Sequence, residues 1–241
     1  MSANPFPLNI SIILVQPQMG ENIGAAARAM KNFSITDLRI VSPRDGWPNE
    51  KAKNMSVGAL EIIEKAKIYN SVSDSIENLE YVYAASAAPR DMNKNYILSR
   101  DLANDIIDYK HVGIMFGREN SGLNNEEISY ANKIVTIDTD VNFSSLNIAH
   151  AVAVICYELF QGIKQNRVGL SNIQELATHG DLEYFFGHLF NILEQNSFFR
   201  TKDKKAYMKL KIRNLFNRID RLSKQEVQTL RGILTNLTKN K

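Results

Sequence analysis

Residues 9–33 read NISIILVQPQMGENIGAAARAMKNF. Five of the first seven are β-branched or aliphatic without clean alternation, which is how a strand covered on both faces reads. A polar turn containing Gly20 follows, and a helical stretch spans residues 22–33. Similar short runs recur at residues 37–41, 81–85, 112–116 and 134–137, with helical stretches at 58–66, 99–109 and 124–131. Strands separated by helices define an α/β protein with a mostly parallel sheet and helices on both faces. Asn124 and Glu127 stand in capping-box register at the start of one such helix.

The chain has 241 residues, 44% of them hydrophobic and 23% charged, enough for one medium domain with an appendage. A single Cys excludes a disulfide framework and a Cys-based zinc site and points to a reducing compartment. The longest strictly apolar run, residues 151–157, falls far short of the roughly 20 residues that cross a bilayer. The N-terminal MSANPFPLNIS has no positive n-region. The expectation is a soluble cytoplasmic protein.

Residues 145–163 read as a helix of roughly five turns with little polar face. Such a helix needs cover on more than one side, from a large core or from a second copy, so a homodimer is expected. His150 within it reads as a core histidine and Cys156 as a small buried hydrophobe. Residues 1–165 thus form the main domain, 166–180 a linker and 181–241 a module of three helices. Residues 200–241 hold 13 of the 29 Lys and Arg and three of the 26 acids, a formal +10 against −7 for the remainder. Such asymmetry suits a polyanionic partner, although a solvated face has the same composition. On the middle helix Lys205, Lys209 and Arg213 fall on one stripe opposite the apolar one, so the outer face is expected to be basic.

Neither GxGxxG nor a P-loop follows the first strand, and the four His show no metal-ligand spacing; no metal site is expected. Three segments remain. In ENIGAAARAMKNF (residues 21–33), small residues permit close backbone approach, and Arg28 is a cation at a strand's carboxyl edge, where open α/β sheets bind ligands. It is equally a surface helical Arg beside Lys31. In GIMFGRENSGL (residues 113–123), Gly117, Glu119 and Gly122 follow an apolar strand. In NFSSLNIAHAVAV (residues 142–154), Ser144, Ser145 and Asn147 crowd the start of the apolar helix, where one Ser is expected as N-cap.

N-x-G-x-x-x-R from Asn22 to Arg28, G-x-E-x-x-G from Gly117 to Gly122 and S-L-N from Ser145 to Asn147 resemble, in order and spacing, the three motifs of the SpoU branch of the SPOUT RNA 2′-O-methyltransferases. LEYFFGHL (residues 182–189) and LRGIL (230–234) resemble the C-terminal module of bacterial members that methylate the ribose at position 32 of the tRNA anticodon loop. The resemblance covers nearly the whole chain. It implies a deep trefoil knot, a dimer, and S-adenosylmethionine held by Ala85, Ser86, Ala87, Gly117, Gly122, Ile137, Ser144, Ser145 and Leu146. Asn22, Arg28, Glu119, Ser145 and Asn147 would surround the transfer site. Arg90, Lys205, Lys209, Arg213, Arg218 and Arg221 would contact tRNA. Two departures stand out: Val141 occupies a position usually held by Pro, and Ala88 one where similar proteins carry Arg. The implied activity is tRNA 2′-O-methylation, with methylation of rRNA or another tRNA position, or non-catalytic RNA binding, as alternatives.

Overall fold

The structure is a computed structural model that describes residues 8–87, 93–165, 175–199, 202–219 and 222–239. Arg90 and Arg221 lie outside them. In chain order the elements are β1 (Asn9–Val15), α1 (Gly20–Asn32), β2 (Asp37–Val41), α2 (Glu50–Met55), α3 (Leu60–Glu64), β3 (Lys67–Tyr69), α4 (Val72–Ile76), β4 (Tyr81–Ala85), β5 (Asn95–Leu98), α5 (Leu102–Asp105), β6 (His111–Phe116), α6 (Asn125–Ser129), β7 (Lys133–Thr136), α7 (Ile148–Gln165), α8 (His179–Gln195), α9 (Lys202–Phe216) and α10 (Lys224–Lys239).

The seven strands form one sheet in the order β3-β2-β1-β6-β4-β7-β5, every pairing parallel. One face is covered by α1, α5 and α7, the other by α4 and α6, so the central strands are apolar on both sides as their sequences imply. The five strands expected from sequence are present. The two edge strands, β3 and β5, are short and half exposed, which removes the apolar run that marks the others. Gly58, at φ 77°, precedes and shortens the expected 58–66 helix to α3.

Two expectations about α7 are corrected. Its N-terminus is capped by Asn147, whose Oδ1 accepts from the Ala149 N–H at 2.8 Å, so Ser145 lies outside the helix. His150 is exposed, on a side of α7 that no element among the described residues covers. Cys156 is buried, and burial pushes its thiol up to about 12. Phe33 at the end of α1 packs against Tyr157 and Phe160 of α7.

The C-terminal helices enclose their own core of Leu182, Phe185, Phe186, Phe190 and Val227. Reciprocal caps start α8 (Thr178 with Asp181) and α10 (Ser223 with Glu226). The module is joined to the sheet domain by hydrogen bonds: Asn217 Nδ2 donates to the Ser129 carbonyl at 2.7 Å, and the backbone N–H groups of His179 and Gly180 donate to Leu79 and Glu77. The His179 ring pairs with Asn132 Oδ1 at 3.1 Å.

The expected basic stripe is ion-paired along its length, with Lys205 and Lys209 at the surface and Arg213 tucked against α8. Lys205 and Lys209 both pair with Glu194, at 2.9 and 2.8 Å, and Arg213 forms two hydrogen bonds with Glu183. The Arg213 guanidinium also lies 4.8 Å from the Phe186 ring and 5.1 Å from Tyr130. The Glu183 carboxylate and the Phe186 and Tyr130 rings draw the Arg213 guanidinium inward.

Candidate active site

The loops after β1 and β6 and the segment before α7 meet at the carboxyl end of the sheet, where open α/β folds place ligands. Met19 at the N-cap of α1 supplies no side-chain cap. Glu119, from the β6 loop, fills that role: its carboxylate accepts from the Gln18 N–H at 2.9 Å and the Met19 N–H at 3.3 Å. An anion is favoured at the positive end of a helix. Asn22 Nδ2 donates to Glu119 Oε1 at 2.9 Å, and Asn147 Nδ2 donates to Asn22 Oδ1 at 3.1 Å. One residue from each motif thus enters a continuous chain of hydrogen bonds, which ends at the α7 cap. Asn22, Glu119 and Asn147 are thereby committed to one another.

The β6 loop is locked from within. Arg118 forms two hydrogen bonds with Glu127, at 3.0 and 2.7 Å, and reaches the Gly122 carbonyl and Gln16 Oε1. Glu127 also completes the capping box with Asn124. A Cβ on Gly117 would lie 2.1 Å from the Gly122 carbonyl carbon, and Gly122 itself has φ 65°. Both ends of G-x-E-x-x-G therefore need glycine for a stated steric reason. Gly24 of α1 is small for a different reason: its Cβ would lie 2.4 Å from the Ala52 carbonyl oxygen, so it admits α2.

Around these loops lies a cavity of about 310 Å³, within the range of small-molecule sites. Ala85, Ser86, Ala87, Gly117, Gly122, Ile137, Ser144, Ser145 and Leu146 all line it, as do Glu119, Phe116, Val135 and Ile148. Leu146 stays 37% exposed at its edge, beside the fully outward Phe143 and Val141. Arg28 is not among the lining residues; it is exposed on α1 with no ion-pair partner among the described residues. No group of three or more His, Cys, Asp or Glu able to hold a metal occurs among the described residues. Sequence reasoning missed Arg118, Gln16 and Gln18. The available signal was Glu127, read only as a helix cap.

A parallel sheet carrying a cavity built from the loop after β6 and the segment before α7, with Asn22 after β1 hydrogen-bonded to both, is the architecture of an RNA methylase of the SpoU type. Residues 9–157 match the SpoU rRNA Methylase family, and the chain belongs to that family. Residues 180–241 match the C-terminal domain of the tRNA methyltransferase TrmJ. The chain is 37% identical over 213 residues to the tRNA (cytidine-2′-O-)-methyltransferase TrmJ of Methanocaldococcus jannaschii, covering 87% of this chain and 91% of that one. It is 32% identical over 235 residues to the tRNA (cytidine/uridine-2′-O-)-methyltransferase TrmJ of Sodalis glossinidius, covering 95% and 91%. The crystal structure of TrmJ from Z. mobilis ZM4 superposes with a TM-score of 0.88 at 37% identity, over 95% of this chain and 98% of that one.

Proposed function

We propose that the chain is an S-adenosylmethionine-dependent tRNA 2′-O-methyltransferase acting on the pyrimidine at position 32 of the anticodon loop, as a cytoplasmic homodimer with the knotted chain path of its family. The observation that carries the reading is the cavity lined by the second and third motifs, with Asn22 of the first hydrogen-bonded to both, in a chain whose relatives over nearly their full length are named for this reaction. The cavity fits the cofactor. Phe116, Val135, Ile137, Leu146 and Ile148 offer an apolar wall for an adenine, and Ser86, Ser144 and Ser145 offer polar groups for the ribose and amino-acid ends.

The cofactor supplies a methyl group on a sulfonium; the protein must align the ribose 2′-OH behind it and keep water out. A guanidinium does not deprotonate near neutral pH. Arg28 therefore binds the phosphate next to the target ribose and stabilises the developing alkoxide, while phosphate or the exposed Ser145 hydroxyl takes the proton. Because Arg28 does not line the cavity of its own chain, a second copy brings it there. The side of α7 that the described residues leave open, with His150 and the 48%-exposed Tyr157, supports such a pairing.

The deciding experiment is methyl transfer from labelled S-adenosylmethionine to total tRNA from a host lacking the modification, followed by nucleoside mapping. A ribose-methylated pyrimidine at position 32 is expected. Transfer to ribosomal RNA alone would replace the substrate, and no cofactor binding would overturn the reading.

A further inference from the structure

With Lys205, Lys209 and Arg213 neutralised against α8, the cations of α9 that remain lie elsewhere. Lys204, Tyr207, Lys211, Leu215 and Arg218 recur at spacings of three and four along α9 and its final turn, which places them on one face. All five are exposed; Tyr207 and Leu215 are 59% and 60% accessible although both are largely apolar. Lys211 Nζ sits 4.6 Å from the centre of the Tyr207 ring. Lys204, Lys211 and Arg218 have no acidic partner among the described residues. The helix is held in place from behind by Asn217, bonded to the carbonyl of Ser129 in α6.

We propose that this face of α9 is an RNA-docking surface that takes an unpaired, loop-type segment, with Lys204, Lys211 and Arg218 on phosphates and Tyr207 beneath a base. The proposal rests on the tRNA reading above. Three cations with no acidic partner among the described residues suit a polyanion, whereas protein-docking patches are depleted of charge at their centre. An exposed tyrosine between them adds what a duplex cannot use. Bases in paired RNA are stacked and closed, while loop bases splay onto aromatic rings.

The test measures binding of the full-length protein to an anticodon stem-loop and to a blunt RNA duplex of equal phosphate number, across a salt series. Tyr207→Ala is expected to weaken stem-loop binding about tenfold and to leave the duplex unchanged. The triple variant Lys204→Ala, Lys211→Ala, Arg218→Ala is expected to weaken both and to flatten the slope of log K against log salt by about two. Unchanged slopes, or equal loss on both RNAs with Tyr207→Ala, would overturn the proposal. So would variants that bind RNA normally but self-associate less, since the face would then be a protein contact. Unaltered cofactor affinity and melting verify that the variants fold. If the wild-type protein methylates tRNA while the variants keep its KM, only the docking surface fails; if the wild type transfers no methyl group to tRNA, the underlying reading fails instead.

Discussion

Asn22 donates from its side-chain amide to the Glu119 carboxylate at 2.9 Å, joining α1 to the loop after β6 across 97 residues of chain. The same carboxylate receives the N–H groups of Gln18 and Met19. Removing it strands three donors at a part-buried helix start. Glu119→Ala is expected to lower stability by about 2–3 kcal/mol, read from urea unfolding, and to weaken cofactor binding through loss of loop geometry. Glu119→Gln keeps one acceptor oxygen and should lose roughly half as much.

Arg28 is exposed, unpaired among the described residues and outside the cavity. Arg28→Ala is expected to abolish methyl transfer while calorimetry shows unchanged cofactor affinity. Mixing this variant with one whose cavity is closed should restore activity, because a mixed dimer contains one intact cavity facing one intact Arg28. No restoration would place Arg28 in the cavity of its own chain.

Gly117 has no room for a side chain, since its Cβ would meet the Gly122 carbonyl carbon at 2.1 Å. Gly117→Ala must unfold the Arg118–Gly122 bridge to be accommodated. The expected result is loss of cofactor binding in equilibrium dialysis with the rest of the sheet intact by circular dichroism.

His179 is buried between the two parts of the chain, and its value is pushed down to about 3 by burial, with Lys94 and Arg213 adding to the effect. The unfolded chain takes up this proton near pH 6.5, while the fold refuses it until about pH 3. The unfolded state therefore binds more protons between these values, and stability falls as pH falls through that window. At pH 5 the loss is about 2 kcal/mol, measurable as a lower denaturation midpoint. His179→Gln should remove that part of the pH dependence.

Much of the sheet was legible because its central strands are continuous apolar runs with helices between them. β3 and β5 were not, being short edge strands with exposed side chains. The nine residues expected around the cofactor do converge on one cavity, because the motif spacing encodes loops at neighbouring strand ends. Periodicity placed Lys205, Lys209 and Arg213 on a common stripe but could not tell which neighbour faces it; Glu183 and Glu194 on another helix decide that. His150 was misplaced for a related reason. An apolar helix announces that it needs cover, yet its sequence does not say which side this chain provides.

The network of Glu119, Asn22 and Asn147 spans separations of 97 and 125 residues, and this sets the order in which the protein can mature. At about 5–20 residues per second during synthesis, β1 and its loop emerge several seconds before their partners exist. Until Asn147 has left the ribosome, the chain of contacts is incomplete and there is no enclosed space to capture a small molecule. The binding site is consequently a late event in the life of the chain, and ligand can stabilise only molecules in which both long-range closures have already been made.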